Sequence, residues 1–301
     1  MLKSKRLKLM TVLIIAFGLL LTGCGEKALV HETLEEVPTE VKTEEETTTE
    51  EAKIEEATPE ATATDVASSD DAEVAEDEGA EDEDDNVQQS ANGKIVVLDP
   101  GHSSVVSGNT EPIGPGSGEY KAADSSGTSG PTSGLTEYQL NLQIAQKLRT
   151  ELQNRGYTVY LTREDNSTGI SCAERAQMAN NLNADAFIRI HADGSDSSSA
   201  SGAMGICITP SNPYISSMYS ESRRLSDAVL NAYVAETGFS SRGVWETDTM
   251  TGNNWSQVPC TLLEMGFMTN PNEDSLMADE AFQSKMVTGI ANGVDTYFFT
   301  D

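Results

Sequence analysis

The chain has 301 residues, 37% of them hydrophobic, and a formal net charge of −30. That length allows one or two domains. The acid excess, with no basic patch in either half, excludes a nucleic acid as partner. The charge is unevenly spread: residues 26–92 hold 25 Asp and Glu against Lys27, Lys42 and Lys53, and residues 93–301 are only mildly acidic.

Lys3, Lys5, Arg6 and Lys8 precede an apolar run from Met10 to Leu21. The run is shorter than the roughly 20 residues that a membrane-spanning helix needs. A basic start and a short apolar core mark residues 1–23 as a secretion signal. The ending Leu21-Thr22-Gly23-Cys24 resembles the bacterial lipobox. That likeness implies that Cys24 is acylated, becomes the mature first residue and anchors the protein to the extracellular face of the cell membrane. An ordinary signal peptide with a chance Cys is the alternative. The rest of residues 24–92 is self-repelling and poor in apolar side chains, so it is expected to be disordered. It reads as a linker that lifts a domain off the membrane, with binding of cations or basic partners as the other option. Beyond Cys24 only Cys172, Cys207 and Cys260 remain. Three is an odd number and no C-x-x-C pair occurs, so a complete disulfide framework is excluded and all three read as buried thiols.

From Lys94 onward, strand-like and helix-like patterns alternate. The apolar run 95–98 ends at Asp99-Pro100-Gly101 and predicts a buried strand entering a turn. Residues 103–134 are rich in Gly, Ser and Pro, lack periodicity and read as a long functional loop. A helix opens at the capping box of Thr136 and Gln139. It buries the face of Tyr138, Leu142, Ala145, Leu148 and Leu152 and closes at Gly156. Strands are then expected over 157–161, 186–190, 205–209 and 258–263, with helices over 173–182, 214–236 and 281–298. This alternation predicts an α/β fold: a mainly parallel sheet with helices on both faces, forming a single catalytic domain over 93–301. In such sheets ligands gather beyond the carboxyl ends of the strands.

The chemistry-bearing residues fall there. His31 lies in the acidic stretch, which leaves His102 and His191 for the domain, and both follow strand-like runs. Parallel strands put both imidazoles on one rim. Each alone could be a plain hydrogen-bonded histidine; two in matching positions point to a shared metal, and zinc sites of the catalytic kind favour three His/Glu-type ligands with one open position. The candidate third ligand is Glu137, in the first turn of its helix, where an acid also answers the helix dipole without any metal. Glu264 sits at the end of an apolar run, Val258 to Leu263. A carboxylate there is costly unless partnered, and desolvation would raise its pKa as a general base requires. Neutralisation by a structural arginine such as Arg242 is the competing reading.

These segments together resemble the zinc-dependent N-acetylmuramoyl-L-alanine amidases of the amidase-3 type. The likeness rests on Val97-Leu98-Asp99-Pro100-Gly101-His102, on Gly134-Leu135-Thr136-Glu137 with Asn141, and on Leu161-Thr162-Arg163 with Arg175. It continues through Ile190-His191-Ala192 and Leu263-Glu264-Met265-Gly266-Phe267 with Asn270. It implies that His102, Glu137 and His191 bind Zn²⁺ and that Glu264 is the catalytic acid/base. The implied reaction is hydrolysis of the amide joining the lactyl group of N-acetylmuramic acid to L-alanine of the peptidoglycan stem. Arg242 is the candidate for a substrate carboxylate. Two positions depart from common versions of the family, with Arg189 where Ser is usual and Asp193 where Asn is usual. A zinc carboxypeptidase or endopeptidase acting within the stem, and a non-catalytic wall-binding lipoprotein, are the rival functions. No protein regulator is identifiable from the residues.

Overall fold

The computed structural model describes residues 92–300. The expected signal, Cys24 and the acidic linker up to residue 91 lie outside the described residues. Within them the chain runs through β1 (Ile95–Pro100), β2 (Thr110–Pro112), β3 (Tyr120–Ala122), α1 (Glu137–Asn154), β4 (Thr158–Leu161), α2 (Cys172–Asn181) and β5 (Ala186–Asp193). It continues through β6 (Ala203–Cys207), a 3-10 turn (Ser216–Met218), α3 (Tyr219–Thr237) and β7 (Ser241–Glu246). The last elements are α4 (Thr251–Trp255), β8 (Cys260–Phe267), α5 (Pro271–Ala278) and α6 (Glu280–Phe299).

The described strands form a six-stranded sheet in the order β4-β1-β5-β8-β6-β7, beside a small β2–β3 hairpin. β1, β4, β5 and β8 are mutually parallel, as the alternating pattern predicts. β6 runs antiparallel to β8, and the edge strand β7 follows β6 in parallel. Val96, Val97 and Leu98 are wholly buried because β1 is covered on both faces. On one face Leu98 and Ile188 join Leu140, Ile144 and Leu148 of α1, Leu225 and Tyr233 of α3, and Ile290 of α6 in the main core. On the other, Val97, Phe187 and Cys260 pack with Ala176 and Ala179 of α2 and with Trp255. Helices therefore cover both faces.

Several expectations need correction. The loop 103–134 contains the β2–β3 hairpin, too short to show a period. The helix expected from residue 214 starts at Tyr219, because the side chain of Asn212 accepts the amides of Tyr214 and Ile215 and holds a turn there. The strand expected over 205–209 is shifted to 203–207. β7, α4 and α5 were not anticipated. Cys207 and Cys260 are buried, but Cys172 is only half-buried, at the first position of α2. Among the described residues no helix is long and apolar enough to cross a membrane.

α6 crosses α3 closely at Gly293, where an added Cβ would stand 2.5 Å from Cα of Val229 and 2.9 Å from the carbonyl of Ala228. Alanine favours a helix over glycine by about 1 kcal/mol, whereas overpacking a tight contact costs about 1–3 kcal/mol. Both contacts are backbone, so the clash prevails. Gly293→Ala is expected to lower the urea midpoint of the full chain; a raised midpoint would show that the two helices separate freely.

Candidate metal centre and active site

Asp99, near the end of β1, is wholly buried. Its Oδ1 accepts from Nη1 of Arg175 (2.7 Å) and Oγ1 of Thr162 (2.7 Å), and its Oδ2 from Nε of Arg189 (2.9 Å). Arg189 is its register partner on β5. Burial opposes the charge on Asp99, but the two guanidinium groups outweigh it and hold the carboxyl well below the usual range. Just beyond, His102 adopts a left-handed backbone, φ 63°, which costs a non-glycine residue about 1–2 kcal/mol. The turn aims its imidazole back over the sheet edge.

Three atoms converge there. Nε2 of His102 lies 3.1 Å from Oε1 of Glu137 and 3.1 Å from Nδ1 of His191, and that Nδ1 lies 3.2 Å from the same Oε1. Ligands at about 2.0–2.1 Å around a tetrahedral zinc stand about 3.3 Å apart. The triangle therefore has the size that one such ion requires, and its donor types, two imidazoles and a carboxylate, suit it. The ring tautomer also fits: Nδ1 of His102 lies 3.0 Å from the carbonyl of Ser125, which can only accept. With the proton on Nδ1, Nε2 keeps its lone pair for a metal. Burial pushes the His191 imidazole down to about 4, so it is neutral at physiological pH. Glu137 is buried too, yet the two imidazoles that face it hold its carboxyl well below the usual carboxylate range. Further donors fix it: Ala192 N (3.1 Å) and Asn141 Nδ2 (3.2 Å) on Oε1, and Thr128 N (3.1 Å) on Oε2.

Glu264 stands next to His191 in the β5–β8 register, so both side chains emerge on one face. It lies within β8, three residues before its end, where the sequence suggested the strand's terminus. Its Oε2 is inaccessible to solvent and has no hydrogen-bond partner. Burial, reinforced by the carboxylates of Glu137 and Asp193, pushes Glu264 well above its ordinary value of 4.5, against the opposing pull of Arg242 and Arg189. Arg242 does not neutralise it by direct contact. That guanidinium bonds Oδ2 of Asp193 at 2.7 Å and lies 4.5 Å from the centre of the Phe267 ring.

Other contributors went unassigned in the sequence. Asn141, four residues after Glu137 on the same helix face, ties it to the carbonyl of Gly101 (3.3 Å), and that spacing could have exposed it. Gly101 has no side chain because the His191 ring occupies the space a Cβ would take. Ser125 lies in the aperiodic loop, and no sequence signal marked it.

A mainly parallel α/β sheet whose carboxyl edge, with the start of α1, gathers two imidazoles and a carboxylate that could hold a metal ion, beside a second carboxyl group, defines the class of protein. The family described as Amidase_3, N-acetylmuramoyl-L-alanine amidase, matches residues 96–296, and the chain belongs to it. It is 32% identical over 208 residues to the N-acetylmuramoyl-L-alanine amidase LytC of Bacillus subtilis, covering 68% of this chain but 36% of that protein. The chain thus spans about a third of LytC. Against the N-acetylmuramoyl-L-alanine amidase Rv3717 of Mycobacterium tuberculosis it is 30% identical over 220 residues, covering 69% of this chain and 88% of the relative. The crystal structure of the N-acetylmuramyl-L-alanine amidase Ami1 from Mycobacterium smegmatis superposes with a TM-score of 0.62 at 28% identity, covering 68% of this chain and 96% of that one.

The orphaned carboxyl of Glu264 has a thermodynamic consequence. Its folded-state pKa is raised, so the unfolded chain ionises first and stability falls as pH rises above about 4.5. Glu264→Gln is therefore expected to raise the melting temperature of the metal-free protein at pH 7, and the gain should disappear below about pH 4, where both states are protonated. Equal melting temperatures at pH 7 would show that Glu264 ionises without penalty.

Proposed function

We propose that this chain hydrolyses the amide between the lactyl group of N-acetylmuramic acid and L-alanine of the peptidoglycan stem. The observation that supports this most is the His102–Glu137–His191 triangle beside the unpartnered carboxyl oxygen of Glu264. The relatives named as N-acetylmuramoyl-L-alanine amidases point to the same bond.

His102, Glu137 and His191 would hold zinc, which when bound supplies Lewis acidity for the scissile carbonyl and lowers the pKa of water at the site. Glu264 takes a proton from the attacking water and returns it to the departing alanine amine. Its raised pKa suits both steps, because a strong acid would neither accept nor hold that proton near neutral pH. Glu137, kept ionised by its donors, remains a ligand and does not compete for the proton. Arg242, held over Phe267 at the rim, is assigned to a carboxylate of the substrate. The domain over 93–301 would work outside the cell, tethered by acylated Cys24 through the acidic linker.

Digestion of purified cell wall by the full chain, followed by mass analysis, tests the reaction. Released stems should carry free L-alanine amino termini, a chelator should abolish their release, and zinc should restore it. Cuts between stem residues would assign a peptidase instead. Glu264→Gln should retain zinc and lower turnover about 10²–10⁴-fold; near-normal turnover would remove Glu264 from the mechanism. Cys24→Ala should shift the protein from the membrane fraction to the medium, and unchanged retention would rule out the lipid tether.

A further inference from the structure

Two arginines donate to three successive carbonyls at the end of β1, those of Pro100, Gly101 and His102, and Asn141 of α1 also donates to Gly101. Arg175 gives Nη1 to Pro100 O (2.9 Å) and Nη2 to His102 O (3.1 Å). Arg163 gives Nε to Pro100 O (2.9 Å) and Nη2 to Gly101 O (3.1 Å). Both side chains are buried. Arg175 is also anchored at its far side, with Nη1 on Asp99 and Nε on the carbonyl of Ile170 (3.2 Å). Its guanidinium thus spans the turn from Pro100, two residues before the left-handed kink, to the kinked residue itself.

We propose that Arg175 is a positioning residue for His102: by clamping the Pro100 and His102 carbonyls against Asp99, it holds the left-handed turn that brings the imidazole onto Glu137 and His191. This rests on the metal reading above. The geometry requires a planar fork, because one group must reach two carbonyls and a carboxylate in different directions at once. A lysine ammonium keeps the charge but not the fork. Both imidazoles, Arg175 and Arg189 line one cavity of about 110 Å³. Residues that orient a ligand from behind typically alter metal affinity 10–100-fold when lost.

The test is the zinc affinity of the full-length Arg175→Lys protein, measured by competition with a chromophoric chelator at a temperature where it is folded. The control is Asp295→Asn, which breaks the remote Arg155–Asp295–Tyr157 cluster and perturbs stability away from the site. Arg175→Lys is expected to bind zinc about 10–100-fold more weakly, with the control at wild-type affinity. Wild-type affinity in Arg175→Lys, or an equal loss in both variants, would overturn the proposal by reducing Arg175 to general structural support. If Arg175→Lys does not fold, Arg175→Gln takes its place with the same two outcomes. Failure of the wild-type protein to take up zinc would overturn the metal reading itself, a result distinct from either.

Discussion

The buried carboxylate of Asp99 is the constraint on which the site depends. An unpartnered charge at zero exposure would cost several kcal/mol, so β1 cannot take its place in the sheet until Arg175, Arg189 and Thr162 reach it. Those partners come from α2, β5 and the end of β4. One charge therefore fixes the mutual placement of two strands that carry metal-ligand candidates, β5 directly and β1 through its own backbone. Arg163, pulled down to about 10 by burial, completes the seam without contacting an acid, because main-chain carbonyls satisfy its donors.

Three carboxylates near this edge differ in what faces them. Asp99 is saturated by cations, so it is structural. Glu137 is met by two imidazoles, two backbone amides and one side-chain amide, so it is charged and immobile. Glu264 has one oxygen with no partner at all. Environments that push neighbouring acids apart in pKa separate a group that binds from a group that exchanges protons. The fold leaves Oε2 of Glu264 without a partner, whereas Asp99 and Glu137 are each met on both oxygens.

Much of this was legible in the residues, for a reason that also sets the limit. β1, β5 and β8 are buried on both faces, so their apolar runs are dense, and α1 shows one apolar face behind a clear start signal. The pair of histidines that each follow an apolar run, with Glu264 against apolar neighbours, pointed to the candidate site, although β5 runs on past His191 to Asp193. β7 left no such trace: Ser241, Arg242 and Gly243 are exposed on an edge strand, where burial imposes no pattern. α5 is short and buries Glu273 and Asp274, which accept loop amides, so no apolar stripe marks it. The antiparallel direction of β6 was equally invisible, because a strand buried in a sheet interior reads the same either way. Arg189 stood out only as an unusual residue; its meaning needed the register that sets it opposite Asp99.

The two departures from the family's common pattern are each compensated inside this chain. Arg189 introduces a buried cation two residues before a ligand, where a positive charge would weaken binding of a dication. It meets Asp99 through Nε, and Gly252 in α4 leaves space for its guanidinium, since a Cβ there would lie 2.6 Å from Cζ. Asp193 adds an anion two residues beyond the same ligand, and Arg242 covers it at 2.7 Å. Each new charge brings an opposite partner from a different element, and the rim beside the triangle is rebuilt. The consequence falls on Arg242, a cation with part of its charge already committed to Asp193. The departures thus rebuild the rim beside the triangle, and the two new charges act on Glu264 in opposite senses, Asp193 raising its pKa and Arg189 lowering it.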